Sequence, residues 1–335
     1  MKNKATWTYN IKGIRTPGVS QMLVHENLVF IAVHYAKAGF YEGKLLCLSL
    51  NTGELHWEFV TDNVINSKVS VSGDQVYVAA FDGYVYGLNL ADGQLRWKFH
   101  TGKNMFSSPA VVGDKLICCE THAGNFTYCL DRHSGQKIWE LKTGVAVASS
   151  PVVYKDLIFH GSNSPLFFAI DLNTGIEKWR YEADGYFAGS PNLFGDQVIT
   201  GCLNGALYVF EPFTGQIVTQ FQTGGAIYRK PIIENKHIFI GNEAGVFSSL
   251  TASSQSISVD WTYQIPEIIS TNACIANGQV LFGSADGHVY CLDKEDGALI
   301  DKKNMKSIVR DIMLTDEFCL ISADKGQLSA FEREN

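Results

Sequence analysis

Two adjacent cysteines, Cys118 and Cys119, are the residues of this chain most suggestive of redox chemistry, because thiols form disulfides and bind metal ions. They lie in KLICCE, a segment whose pattern predicts a β-strand, and neighbouring side chains of a strand point to opposite faces. A disulfide between them is therefore not expected. The sequence has no CxxC pair and no HExxH, GxSxG, Walker or GxGxxG motif, and its nine histidines show no metal-like spacing. We predict neither a catalytic residue nor a metal site.

A second group of candidate residues occupies a position that recurs just before short apolar segments and is most often serine. In chain order its occupants are Ser20, Lys68, Ser108, Ser150, Ser190, Lys230, Asn272 and Arg310, and Arg229 precedes Lys230. Three cations at this position are unexpected in a chain with a net charge of −7. They predict a site for an acidic peptide or a small anion. The alternative is that they pair with the nearby Asp62, Glu243 or Asp311.

Aromatic residues are frequent in the segments beside these cations, which we expect to be loops of one face. They are Phe106, Tyr186, Phe187 and Tyr228. The segment HYAKAGFYEGK (34–44) adds Tyr35, Phe40 and Tyr41, and it is about seven residues longer than its counterparts elsewhere in the chain. Insertions in repeat proteins map to the binding face, and tyrosine is a favoured interface residue. We predict that these side chains bind a partner; the alternative is that the rings fill a central channel.

All six tryptophans fall on one position of an internal repeat of about 40 residues. The repeat is clearest in LSLNTGELHWEF (48–59), LNLADGQLRWKF (88–99), LDRHSGQKIWEL (130–141) and IDLNTGIEKWRY (170–181). The tryptophans are Trp7, Trp57, Trp97, Trp139, Trp179 and Trp261. A large flat side chain at a fixed position of each repeat is expected to fill the wedge between neighbouring repeats.

Each repeat contains short alternating segments separated by turn residues such as NG and DG, which predict four antiparallel strands. Four strands per repeat make one propeller blade. The first strand, at Trp7, lacks a preceding partner strand, and the last segment, GQLSAFEREN (326–335), lacks a following one. The sequence therefore predicts an all-β, eight-bladed propeller, one domain over residues 1–335, with the N-terminal strand completing the last blade.

Composition and charge narrow the possible partners and locations. A pI near 5.7 argues against a nucleic-acid partner, and no apolar run approaches the roughly 18 residues of a membrane span. Cys47, Cys129 and Cys291 share one repeat position, which is typical of small buried residues rather than disulfides. We therefore expect a cytoplasmic, monomeric protein without a cofactor, or a periplasmic one if a signal segment has been removed.

The TG…W pattern, with SSPAVV (107–112), SSPVVY (149–154) and GSPNLF (189–194) opening the next repeats, resembles the pyrroloquinoline-quinone-like propeller repeat. Two families share an eight-bladed ring of this repeat: quinone-dependent alcohol dehydrogenases and the outer-membrane β-barrel assembly lipoprotein, a binding scaffold. The second is closer in length, and the hairpins here are too short for the cofactor-binding loops of the first. The resemblance implies a non-catalytic, protein-binding scaffold. The alternatives are a quinone-binding oxidoreductase and a toxin-neutralising or regulatory sensor module.

Overall fold

Eight antiparallel sheets, one for each repeat, surround a central channel as the blades of a propeller. The computed structural model describes residues 4–11, 18–19, 21–37, 40–121, 125–147, 149–253, 256–324 and 326–333. Within these residues every blade has four strands in meander order, and the innermost strand of the first blade is split into two pieces. The predicted all-β, eight-bladed fold is confirmed.

The blades are numbered in chain order, and their strands are given from the channel outward. Blade 1 contains Gly18–Val19 with Leu23–His25, then Leu28–Lys37, Phe40–Ser49 and Leu55–Thr61. Blades 2 to 4 contain Ser70–Ser72, Gln75–Ala79, Tyr84–Asn89 and Leu95–His100; Ala110–Val112, Lys115–Cys119, Phe126–Asp131 and Lys137–Lys142; Val152–Tyr154, Leu157–His160, Leu166–Asp171 and Glu177–Glu182.

The second half of the ring repeats this arrangement. Blades 5 and 6 contain Asn192–Phe194, Gln197–Gly201, Ala206–Phe210 and Ile217–Gln222; Ile232–Glu234, His237–Gly241, Val246–Ala252 and Ile257–Gln264. Blades 7 and 8 contain Cys274–Ala276, Gln279–Gly283, His288–Asp293 and Leu299–Asn304; Val309–Leu314, Phe318–Ala323 and Gln327–Glu332, with Trp7–Asn10 as the outer strand of blade 8.

The ring closes where the N-terminal strand joins blade 8. Trp7–Asn10 pairs antiparallel with Gln327–Glu332 in the register Trp7↔Ala330 to Asn10↔Gln327. This pairing gives the outer edge of the last blade a partner, so the two ends of the chain hold one sheet together. The predicted closure is confirmed.

A tryptophan on the outer strand locks each of six blades to the next one. Its indole Nε1–H donates to a backbone carbonyl of the following blade, as from Trp97 to Arg132 O at 3.0 Å. The ring lies against the turn glycine of that blade: a Cβ on Gly135 would lie 2.4 Å from the Trp97 ring. Gly135 also has a φ of 70°, so this position excludes side chains for two reasons. The same bond recurs from Trp7, Trp57, Trp139, Trp179 and Trp261.

The two repeats without tryptophan precede blades that cannot supply this glycine. The corresponding positions hold Thr219 in blade 5 and Asp301 in blade 7. The sequence between the third and outer strands of blade 6, residues 253–256, contains no glycine, and in blade 8 the third and outer strands come from opposite ends of the chain. The tryptophan and the glycine are therefore absent together, because the indole ring of one blade packs against the turn glycine of the next blade.

The insertion in blade 1 extends two strands instead of forming a loop. Leu28–Lys37 and Phe40–Ser49 pair along their whole length, from Leu28↔Ser49 to Lys37↔Phe40. The outer strand reaches only to Gly43, which pairs with Thr61, so the rest of the hairpin projects beyond it. The expected long connection was therefore wrong, because cross-strand pairing continues through Tyr35↔Glu42 and Ala36↔Tyr41 and the inserted residues lengthen both strands.

The cysteines are free thiols in the core or at its edge. Cys47 and Cys129 lie directly opposite Trp57 and Trp139 on the neighbouring strand, where the indole leaves room only for a small side chain. The adjacent Cys118 and Cys119 lie in one strand, both buried and without a disulfide. Burial raises the pKa of the Cys119 thiol to about 12, so it is an inert packing residue at neutral pH.

Candidate functional site: the mouth of the central channel

Two sets of loops are hydrogen-bonded together on one face of the ring. In each of blades 2 to 8, the loop between the second and third strands donates a backbone N–H to the loop that enters the blade. Examples are Phe81 N to Val64 O at 2.8 Å and Leu203 N to Tyr186 O at 2.9 Å. These bonds join both loop sets in one layer around the channel mouth, and the two sets share one face, as the sequence predicted.

The channel mouth is a cavity of about 720 Å³. Seven of the eight recurring positions line it: Lys68, Ser108, Ser150, Ser190, Lys230, Asn272 and Arg310. The eighth, Ser20, lies outside the described residues. The cavity is also lined by Phe106, Tyr228, Arg229 and Glu243. The structure therefore brings the predicted cations together in one cavity, although they are far apart in sequence.

Serine prevails at the recurring position because its side chain links one blade to the next. The backbone N–H of each occupant donates to the side-chain oxygen of the next occupant around the ring. The bonds run from Lys68 to Ser108 (3.0 Å), Ser108 to Ser150 (3.0 Å), Ser150 to Ser190 (2.9 Å) and Lys230 to Asn272 (3.0 Å). We call this series the mouth ladder. A lysine or arginine side chain has no acceptor, so among the described occupants Lys230 and Arg310 interrupt the ladder.

The two arginines of the mouth are held by the protein itself. Arg310 makes a bidentate ion pair with Asp324, with Nε–Oδ1 and Nη2–Oδ2 distances of 2.6 and 2.8 Å. Arg229 Nε donates to Ile269 O of the next blade at 3.1 Å. Burial lowers the pKa of the Arg229 guanidinium, while the nearby Glu243 opposes that shift. Local pairing was the expected alternative, but the partner of Arg310 is Asp324, on a different loop from the acids considered.

The two lysines differ from the arginines. Within the described part of the chain, neither the Lys68 nor the Lys230 ammonium has an ion pair or hydrogen bond. Blades 2 and 6 lie opposite each other in a ring of eight, so the two side chains extend toward the channel axis from opposite sides. Burial, and then the positive charge of Lys68, lower the pKa of Lys230. A negative charge placed between the two ammonium groups would offset their mutual repulsion.

A buried carboxylate lies beneath the cations. Asp311, at the start of blade 8, is almost completely buried and accepts a hydrogen bond from the backbone N–H of Met22 in blade 1 at 2.7 Å. Burial raises its pKa to about 6, while that hydrogen bond and the charges of Lys68 and Arg229 oppose the shift. Asp311 therefore joins the first and last blades at the channel wall, a role its sequence position did not indicate.

The predicted aromatic residues divide into exposed and buried ones. Tyr41, Tyr186, Tyr228 and Phe106 are 58%, 50%, 42% and 39% exposed. Phe187, expected on the same face, is fully buried, and its ring lies 5.4 Å from that of Phe167. It is a core residue because the chain turns inward after the exposed Tyr186. Tyr35 is also largely buried, and the side chain of Phe40 lies outside the described part of the structure.

The groups that line this cavity can bind a ligand. Across the described residues, no group of three His, Cys, Asp or Glu side chains is arranged to hold a metal ion. The cavity presents ammonium groups, serine hydroxyls and aromatic rings, which suit an anionic ligand with apolar parts. No helix among the described residues is both long and apolar enough to cross a membrane.

Comparisons with known proteins agree with this architecture. A family profile described as outer membrane protein assembly factor BamB matches residues 3–127 and 82–303. A search of curated protein sequences gave no significant match.

Three solved structures show how general the fold is. BamB from Moraxella catarrhalis is 16% identical with a TM-score of 0.80, covering 99% of this chain and 98% of that one. The computationally designed Ika8 protein is 15% identical with a TM-score of 0.78, covering 97% and 98%. Quinohemoprotein alcohol dehydrogenase ADHIIG from Pseudomonas putida HK5 is 14% identical with a TM-score of 0.80, covering 98% of this chain and 76% of that one. Such identities establish the fold alone, but the profile spans most of the chain, which therefore belongs to the outer membrane protein assembly factor BamB family.

Proposed function

We propose that this protein is a non-catalytic scaffold that binds another protein through the mouth surface. The mouth surface comprises the exposed Phe106, Tyr186 and Tyr228 and the cavity-lining cations Lys68, Arg229, Lys230 and Arg310. The observation that carries the proposal is the exposure of three large aromatic side chains beside a cationic cavity, on a layer of hydrogen-bonded loops. Tyrosine next to a desolvated pocket is typical of protein interfaces.

The family supports a partner among proteins of outer membrane assembly, since its description names that process. It also favours the periplasmic alternative over the cytoplasmic location expected from the cysteine content. The cysteine content is compatible with a periplasmic location. Seven of the eight are buried and act as small apolar residues, so they need no reducing compartment to stay free.

The test is capture of partners from an envelope extract by the immobilised protein. We expect that Tyr186→Ala combined with Tyr228→Ala removes the captured partner. Phe213→Ala is the matched control, because Phe213 is 52% exposed in the turn between third and outer strands, on the opposite face. If the double variant keeps the partner, the mouth surface is the wrong face, and loss of the partner by the control would point to the opposite face.

A second arm tests catalysis, because a quinohemoprotein dehydrogenase shares the fold. The purified protein is mixed with pyrroloquinoline quinone and calcium, and dye-linked alcohol oxidation is recorded. We expect no activity above that of the quinone alone. Turnover that depends on the protein would overturn the non-catalytic assignment.

A further inference from the structure

The two lysines of the channel mouth occupy positions where the fold itself favours serine. In four places the mouth ladder joins neighbouring blades by a hydrogen bond of 2.9–3.0 Å. Between Ser190 and Lys230, both of which the structure describes, that bond is missing because the ammonium side chain offers no acceptor. The lysine therefore removes a hydrogen bond that links neighbouring blades elsewhere in the ring.

The placement of these lysines concentrates positive charge on the channel axis. Lys68 and Lys230 come from opposite blades and line the same cavity. Each ammonium lacks an ion pair with any other described residue, whereas Arg310 is paired with Asp324 and Arg229 is bonded to Ile269 O. The two lysines are thus the cations that remain available to a ligand.

The net charge of the groups around Lys68 and Lys230 determines which ligand charge the site can balance. Three cations, Lys68, Lys230 and Arg229, face two carboxylates, Glu243 and the buried Asp311, which leaves one net positive charge. Arg310 and Asp324 neutralise each other. A ligand group with a single negative charge therefore balances the site, whereas a dianion exceeds it.

We infer that Lys68 and Lys230 together bind one carboxylate on the channel axis, supplied by an acidic side chain of an extended segment of the protein partner. This inference rests on the proposed function and names the chemistry that the partner presents. A segment of a protein, and not a free small anion, is the occupant because Phe106 and Tyr228 line the same cavity and offer apolar contact to the flanking residues. A cavity of about 720 Å³ also accommodates several side chains beyond one carboxylate.

The first experiment measures the binding of labelled pentapeptides that are N-acetylated and C-amidated, so that their only charge is one central aspartate. A matched set carries asparagine instead. By fluorescence polarisation, we expect the aspartate set to bind about tenfold more tightly than the asparagine set, which corresponds to one desolvated ion pair. Lys68→Met and Lys230→Met should each remove this preference, and Phe106→Ala should weaken both sets.

Lys236→Met is the control, because Lys236 is an exposed lysine in a turn on the opposite face. It should leave both affinities unchanged. Equal binding of the two peptide sets, or an aspartate preference that survives in both mouth variants, would overturn the inference. Free acetate that competes at the same concentration as the peptides, together with no effect of Phe106→Ala, would show a site for a small anion and would overturn it as well.

The capture experiment separates this inference from the proposed function. If the partner depends on Tyr186 and Tyr228 but binds equally to Lys68→Met and Lys230→Met, the scaffold function stands and the carboxylate site is wrong. If the partner is indifferent to all four positions, the proposed function is wrong. Melting curves of each variant confirm that it is folded, and Lys230→Met is expected to be at least as stable as the wild type because it removes a partly buried charge.

Discussion

Replacing Lys230 with serine should stabilise the protein, although the lysine is natural to it. In Lys230→Ser the Ser190 N–H gains the acceptor that the mouth ladder lacks between blades 5 and 6. The expected geometry is that of the Ser150 N–H and Ser190 Oγ, which are 2.9 Å apart. One such hydrogen bond contributes about 1 kcal/mol net to the free energy of unfolding. The substitution also removes an ammonium whose pKa burial and Lys68 lower, which is a further stabilising change.

These contributions predict that the free energy of unfolding rises by about 1–2 kcal/mol. A chain of 335 residues has an unfolding entropy of about 0.7 kcal/mol/K, so the melting temperature should rise by about 1–3 °C. Differential scanning calorimetry measures the shift, and urea unfolding gives the free energy independently. Because the pKa of Lys230 is lowered in the folded protein, the charged lysine destabilises the folded state at neutral pH. This cost disappears as the pH rises toward 10 and the lysine loses its proton, so the stability advantage of Lys230→Ser should shrink over that range.

Ser150→Ala is the matched control, because it removes a ladder acceptor without changing any charge. It should lower the free energy of unfolding by about 1 kcal/mol. The reasoning is refuted if Lys230→Ser is less stable than the wild type while Ser150→Ala is unchanged. If Lys230→Ser gains stability and loses the aspartate preference, Lys230 contributes to ligand binding and lowers the free energy of unfolding of the ring.

Further predictions concern the contacts that close the ring. Trp97→Ala should lower the free energy of unfolding by about 3–5 kcal/mol, and Gly135→Ala should destabilise strongly because its Cβ would lie 2.4 Å from the Trp97 ring; urea unfolding measures both. Deleting residues 1–12 should remove the outer strand of blade 8 and lower the melting temperature of the whole domain, and an unchanged calorimetric transition would contradict the closure. The pKa of Asp311 is raised to about 6, so its contribution to stability is greatest below about pH 4 and declines as the pH rises to about 6. Compared with Asp311→Asn, the wild type should lose about 3 kcal/mol across that window, measured by urea unfolding at a series of pH values, and a parallel pH profile in both proteins would refute the burial of the charge.

The blade count and the strand positions could be predicted because they depend on local signals. Tryptophan, turn glycines and alternating segments repeat at a fixed period, and each marks one strand or one turn. The sequence shows that Thr219 and Asp301 stand where other repeats have tryptophan, and the structure gives the cause in the following blade. That cause could not be read from local sequence, because the contact joins residues far apart in the chain: Trp179 and Pro212 are 33 positions apart, and Trp97 and Arg132 are 35.

The candidate site was predicted less completely, because its contacts cross between blades and loops. The recurring position correctly identified the cations that line the channel mouth. It could not show that Arg310 pairs with Asp324, since that partner lies in another hairpin. Nor could it separate Tyr186 from Phe187: two adjacent aromatic residues look equivalent in sequence, but one faces solvent and the other the core.

The pairing of tryptophan with glycine also has a mechanical consequence, since it divides the ring into strong and weak joints. The joints after blades 5 and 7 lack the tryptophan lock, and in the described residues the mouth ladder is interrupted at the same two places. After blade 7, Cys274 Sγ and Ser270 Oγ donate to Ile312 O and Val309 O, so that joint is reinforced. The joint after blade 5 keeps aliphatic packing and the bond from Asn192 Nδ2 to Pro231 O. Under load, the ring should open first there, beside Lys230, and not at the meeting point of its two chain ends.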